Sequence, residues 1–100
     1  MGLFLESKLF VILSIRMLGG EAMVIALSLI NTEPGKDREV AKKLAKIEGV
    51  AAVCLVTGRY DVVARIEAKN SDEVINIVYD KIRATPNVKA SETMFCQQIK

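Results

Sequence analysis

Thr57-Gly58-Arg59-Tyr60-Asp61 stands between two apolar runs, residues 50–56 and 62–66, each too short for a helix and each rich in Val, Ile and Ala. Gly58 takes a positive φ at no steric cost, so the stretch predicts a hairpin. A turn needs a glycine and polar neighbours. It has no need of a tyrosine and an aspartate directly after the glycine, which strand alternation sends to opposite sides. That surplus chemistry makes the stretch the first functional candidate.

Outward from the hairpin, the period of the apolar residues changes in a regular order. Residues 23–31 (MVIALSLIN) are apolar on both alternating faces and predict a buried strand. Thr32-Glu33-Pro34-Gly35 supplies turn chemistry. Over residues 37–48, Val40, Ala41, Leu44, Ala45 and Ile47 fall at helical spacing, while Lys42, Lys43 and Lys46 face away. Asp37 and Glu39 near the start and lysines toward the end suit the helix dipole, and Gly49 is a fitting stop. The strand at residues 50–56 is apolar on both faces: Val50, Ala52, Cys54 and Val56 on one, Ala51, Val53 and Leu55 on the other.

After the turn, residues 60–68 place Tyr60, Val62, Ala64, Ile66 and Ala68 on one face and Asp61, Val63, Arg65 and Glu67 on the other. Asn70 with Glu73 predicts a capping box for a helix over residues 71–84, with Val74, Ile75, Val78 and Ile82 as its buried stripe. Pro86 disfavours helix at the residue before it. A longer, more polar strand over residues 88–99 follows, with Ser91, Thr93 and Met94 near its centre.

The order βαββαβ predicts an α+β, ferredoxin-like sandwich: an antiparallel sheet with both helices on one face. Two helices cover only one face, yet the first two strands are apolar on both. The uncovered face predicts an obligate dimer with sheet packed on sheet. Strand order 4-1-3-2 sets Cys54 and Cys96 on opposite edges, beyond disulfide reach.

Composition narrows the function classes. Fourteen basic against twelve acidic residues, well mixed, give no electrostatic case for nucleic acid or a membrane surface. The chain has no histidine, and its two cysteines lack a CxxC partner, so neither a zinc site nor a cofactor is expected. So few cysteines suit a reducing, cytoplasmic setting. Residues 1–22 read as a separate N-terminal extension. The apolar run at residues 9–15 is too short for a bilayer, which takes about twenty residues, and no small-x-small cleavage site follows closely. Codons for Gly19-Gly20-Glu21 can spell GGAGGTGA, the form of a ribosome-binding site, just ahead of Met23. The expectation is that Met23 is the natural start and residues 1–22 are translated upstream sequence. A short amphipathic helix is the alternative.

The Leu55-Val56-Thr57-Gly58-x-Tyr60-Asp61 hairpin and the Pro86-x-Val88 lead into a strand carrying Ser91-x-Thr93, within βαββαβ order, resemble one module. It is the effector-binding domain of the leucine-responsive/asparagine-type (Lrp/AsnC) feast–famine transcription regulators. The resemblance spans about residues 23–99, so residues 23–100 are taken as an amino-acid effector-binding and oligomerisation domain. It implies a dimeric α/β barrel, often assembled into a ring of four dimers, with amino acids bound between dimers. It also implies that the pocket draws on Gly58, Tyr60 and Asp61 of the hairpin and on Ser91, Thr93 and Met94 of the last strand. Regulators of this family place a helix-turn-helix DNA reader ahead of the domain, and twenty-two residues are too few for one. The expectation is a stand-alone effector domain, without direct nucleic-acid binding, working with a full-length regulator.

Each residue also has an ordinary reading. Asp61 either receives a ligand ammonium or satisfies local N–H groups. Tyr60 lines a pocket or serves as a core aromatic with its hydroxyl at the surface. Ser91 and Thr93 share a face and either bind a carboxylate or form a cross-strand pair; Met94 points the other way and belongs with the hydrophobic packing. Arg59 and Arg65 suit rim ion pairs with Asp61 or Glu67. The leading function is an amino-acid sensor, not an enzyme. The rivals are a small dimeric-barrel monooxygenase or isomerase and a ligand-free assembly module.

Overall fold

The computed structural model describes residues 23–100; the expectations for residues 1–22 lie outside the described residues. The elements run β1 (Val24–Thr32), α1 (Asp37–Leu44), β2 (Val50–Leu55), β3 (Val62–Ala68), α2 (Ser71–Ile77) with a π-helical turn (Val78–Ile82) on its end, and β4 (Val88–Cys96). The strands form one antiparallel sheet in the order β2-β3-β1-β4. This is the ferredoxin-like α+β arrangement, with Cys54 and Cys96 as exposed free thiols on its two edge strands.

One face of the sheet carries the core. Ala26, Ser28, Ile30 and Thr32 of β1 alternate inward, as do Val62, Ala64, Ile66 and Ala68 of β3. Val40 and Leu44 of α1 and Val74, Val78 and Ile82 of the second helical segment close over them. The intervening residues Ile25, Leu27, Leu29 and Val63 point to the other face and stay half-buried. No described element covers that face, the open face of the sheet.

Four local departures from simple periodicity have identifiable causes. First, α1 ends at Leu44. Lys46 N–H and Ile47 N–H bond three residues back, to Lys43 and Leu44, so the chain leaves in tight turns toward Gly49 at φ +96°. Ile47 still packs on the core, whereas Ala45 is exposed.

Second, the expected helix over residues 71–84 changes to π-helical after Ile77, with Arg83 N–H bonding Val78 O at 2.8 Å. Val74, Val78 and Ile82 lie four apart, wider than the α-helical period, and the looser turn keeps Ile82 on the core side. Ile75, expected in the buried stripe, is 43% exposed. The start is capped as expected: Asn70 Oδ1 accepts from Glu73 N–H at 2.9 Å. Glu73 reaches back to the Lys69 amide, one residue before the cap.

Third, β2 carries a bulge between Val50 and Ala52. Val50 lies opposite Ile66 and Val53 opposite Ala64, so both join the core side, while Ala52 and Cys54 sit opposite Arg65 and Val63 on the open side. Uninterrupted alternation puts Val50 with Ala52 and Cys54. The extra residue reverses that assignment.

Fourth, β3 begins at Val62 rather than Tyr60, and β4 ends at Cys96 rather than residue 99. Val56 N–H bonds Asp61 O at 3.0 Å, and Asp61 N–H bonds Ile30 O at 2.9 Å. Asp61 is therefore tied to β1 as well as to the end of β2, and residues 56–61 form a loop wider than a two-residue turn.

Candidate functional site

The hairpin rests on Gly58, at φ +116°, a conformation side-chain-bearing residues rarely adopt. No described atom lies within 4 Å of where a Cβ would stand, so the loop backbone is approachable there. The two residues after Arg59 then part. Tyr60 donates its hydroxyl to Glu92 Oε2 at 2.5 Å, and Glu92 lies opposite Leu29 on the open face. Asp61 turns the other way: its Oδ2 accepts from the Thr32 amide at 2.8 Å and from the Thr32 hydroxyl at 3.4 Å. Strict alternation puts Tyr60 with the core-facing residues of β3 and Asp61 opposite. The structure reverses this because the strand starts only at Val62.

Hydrogen bonding to Glu92 is the main cause that holds the Tyr60 phenol above its ordinary range, followed by desolvation and the Glu92 charge; Arg59 opposes the shift. Both features reflect one arrangement, a neutral phenol clamped to a carboxylate.

On β4 the remaining candidates separate by strand parity. Ser91 and Thr93 lie opposite Ile30 and Ser28 and face the helices. The Thr93 and Ser28 hydroxyls are 3.0 Å apart, a cross-strand pair beneath the helix layer. Met94 lies opposite Leu27 on the open face and is 44% exposed. Within one subunit, then, Tyr60 and Met94 belong to one side of the sheet and Ser91 and Thr93 to the other. Arg65 on the open face approaches Glu67 Oε2 at 3.2 Å and donates to Gln98 Oε1 at 3.2 Å, so it takes the ion-pair role expected of it.

Two contributors escaped sequence reading. Glu92 could have been noticed from its parity with Met94, but nothing local announces that Tyr60 reaches it. Thr32 looked like turn chemistry and is the anchor of Asp61. A groove of about 240 Å³ also opens between α2 and β4, floored by Val74, Ile75, Val78 and Phe95. Tyr79, Arg83, Ser91 and Thr93 supply its polar groups. Among the described residues no cluster of His, Cys, Asp and Glu could hold a metal ion, and no helix is long and apolar enough to cross a membrane.

Comparison with known proteins gives this geometry a context. The family profile described as the Lrp/AsnC ligand binding domain matches residues 25–99. A transcriptional regulator of the helix-turn-helix type from Pyrococcus abyssi, FL11, is 41% identical over 71 residues, which is 71% of this chain and 46% of that protein. An uncharacterised regulator of the same type from Pyrococcus furiosus is 30% identical over 77 residues, 77% of this chain and 52% of its own length. The chain thus spans about half the length of these regulators. Among solved structures, a hypothetical protein of Pyrococcus horikoshii superposes with a TM-score of 0.71 at 32% identity, covering 76% of this chain and 92% of that one. AsnC of E. coli shares the fold at 19% identity, with a TM-score of 0.71 over 83% of this chain and 55% of that one.

Proposed function

The chain belongs to the Lrp/AsnC ligand-binding domain family, and we propose that it is an amino-acid-sensing assembly module that modulates transcription by assembling with itself or with a full-length regulator. The two Pyrococcus regulators described above are helix-turn-helix-type transcriptional regulators. The observation that carries the proposal is the open sheet face. Leu27, Leu29, Val63 and Met94 form an apolar surface that no described element covers, and a second copy of the same face would remove it from water in a dimeric α/β barrel. Dimers can join further into rings.

In this reading the amino acid binds where subunits meet. Gly58, Tyr60 and Asp61 come from the hairpin at one end of the open face, and Ser91 and Thr93 come from the other side of β4. A pocket that uses both sets draws them from different subunits. The amino acid's ammonium meets carboxylate, its carboxylate meets hydroxyls and amides, and Met94 contributes to sheet packing. A structure of a related regulator from Neisseria meningitidis, 19% identical, is an L-Met complex, which supports an amino acid as the class of effector to test first. Ligand-dependent assembly follows if one assembly state binds the amino acid more tightly. The proposed setting is cytoplasmic.

One specific observation favours a second reading, a ligand-free assembly module: Asp61 Oδ2 and the Thr93 hydroxyl already have partners in Thr32 and Ser28. A single titration separates the two. Each of the proteinogenic amino acids is added to the purified chain while thermal unfolding and oligomer mass are followed together. At a hundredfold excess over Kd, binding adds about 2.7 kcal/mol, a rise in Tm of roughly 4–8 °C per kcal/mol for a domain of this size. Stabilisation by one or a few amino acids, lost in Asp61→Asn, supports sensing. No response to any of them leaves the assembly module.

A further inference from the structure

We propose that the groove between α2 and β4 is a second binding site, taking a short organic carboxylate that has an apolar tail and no ammonium group. It lies on the helix side of the sheet, away from the Tyr60–Glu92 pair on the open face, and it shares Ser91 and Thr93 with the intersubunit amino-acid pocket proposed above, so within one subunit the two ligands compete for those hydroxyls.

The lining selects the ligand's chemistry. Its charged group is Arg83, at the end of the π-helical turn, and no acidic residue joins it. The Arg83 guanidinium sits over the Tyr79 ring, 4.8 Å from its centroid. Resting on a ring face uses no hydrogen-bond donor, so the N–H groups stay available for a planar anion, and a carboxylate matches their spacing. Among the described residues no carboxylate takes up that charge and nothing occupies the Ser91 hydroxyl. Ser91 and Thr93 line the groove with Arg83, and Val74, Ile75, Val78 and Phe95 give an apolar bed.

Size and sign narrow the class further. About 240 Å³ lies below the roughly 300–1,000 Å³ of sites for drug-sized ligands, so the occupant is short. An ammonium group would meet a guanidinium and hydroxyls with no carboxylate to balance it. Within one subunit a free amino acid is therefore disfavoured here, because the carboxylates that could meet its ammonium, Asp61 and Glu92, lie at the hairpin and on the opposite face. Ile75, Tyr79 and Phe95, which are 43%, 60% and 54% exposed, line this groove.

The test uses three probes of one skeleton: isocaproate, which has the carboxylate alone; isoamylamine, which has the ammonium alone; and leucine, which has both. Backbone amide signals of the isotope-labelled chain are followed by NMR. Isocaproate is expected to move the signals of Tyr79, Arg83, Ser91 and Phe95 in a saturable way, isoamylamine to leave them in place, and leucine to act there more weakly than isocaproate. Arg83→Gln should weaken isocaproate binding by about tenfold or more. Arg83→Lys should fall between, and Lys42→Gln, which removes an equal charge from α1, should change nothing. The proposal is overturned if isocaproate leaves the groove signals unmoved, if Arg83→Gln binds it undiminished, or if the amine binds equally well. Leucine effects at residues 58–61 report the amino-acid pocket and isocaproate effects at Tyr79 and Arg83 report the groove, while Ser91, common to both, decides neither, so the effector reading can fail or stand without deciding this one.

Discussion

The Asp61 carboxylate accepts the backbone N–H of Thr32 at 2.8 Å, joining the hairpin loop to the end of the central strand. Thr32 is 8% exposed, so that amide has little water to fall back on. Asp61→Ala should destabilise the fold by about 1–3 kcal/mol, the usual penalty for orphaning a buried donor. Asp61→Asn keeps an acceptor and should lose less. Urea unfolding of the two variants checks the order; equal stability of Ala and wild type would show that the contact contributes nothing.

Tyr60 and Glu92 form the second long link from the hairpin, with the phenol donating at 2.5 Å. A phenol whose pKa is raised on folding binds its proton more tightly in the native state. Its contribution is therefore fully present below the unfolded tyrosine pKa and is lost as pH rises through the higher folded value. In Glu92→Gln the alkaline phenolate transition of Tyr60 should move down toward the ordinary range. Ultraviolet titration in a Tyr79→Phe background isolates it, and an unmoved transition would contradict the assigned cause.

Gly58 and Gly49 both adopt positive φ, yet they should respond differently to alanine. A Cβ on Gly58 meets nothing within 4 Å, whereas one on Gly49 would lie 2.5 Å from the Ile77 Cδ1. Gly58→Ala should cost about 1–2 kcal/mol of backbone strain alone. Gly49→Ala adds a displaced Ile77 and should cost more. Thermal melts of the two proteins side by side test that ranking.

Met94 lies opposite Leu27 on the open face with 44% of its surface exposed, so a single subunit tolerates a charge there. Between two packed sheets the same charge is costly. Met94→Lys should therefore keep the far-ultraviolet signature of the fold while shifting sedimentation mass toward a single chain. Wild-type mass in the variant would rule out packing through this face.

Much of the architecture was legible without coordinates because it depends on short-range periodicity. The switch from alternation to helical spacing at Asp37, the cap at Asn70 and the glycine needed at position 58 are each decided within a few residues, and the structure bears them out. The sandwich and its 4-1-3-2 strand order followed from that element order. What the tertiary structure alone decided depends on contacts between distant residues. Asp61 meets Thr32 across 29 positions and Tyr60 meets Glu92 across 32, and those partners reverse the faces that alternation would assign. The β2 bulge and the π-helical turn likewise arise because the strand or helix must match a neighbour, at Ile66 or beneath Ile82, rather than its own period. Gly58 was readable from its own chemistry. Which way its two neighbours point was not, because that choice belongs to β1 and β4.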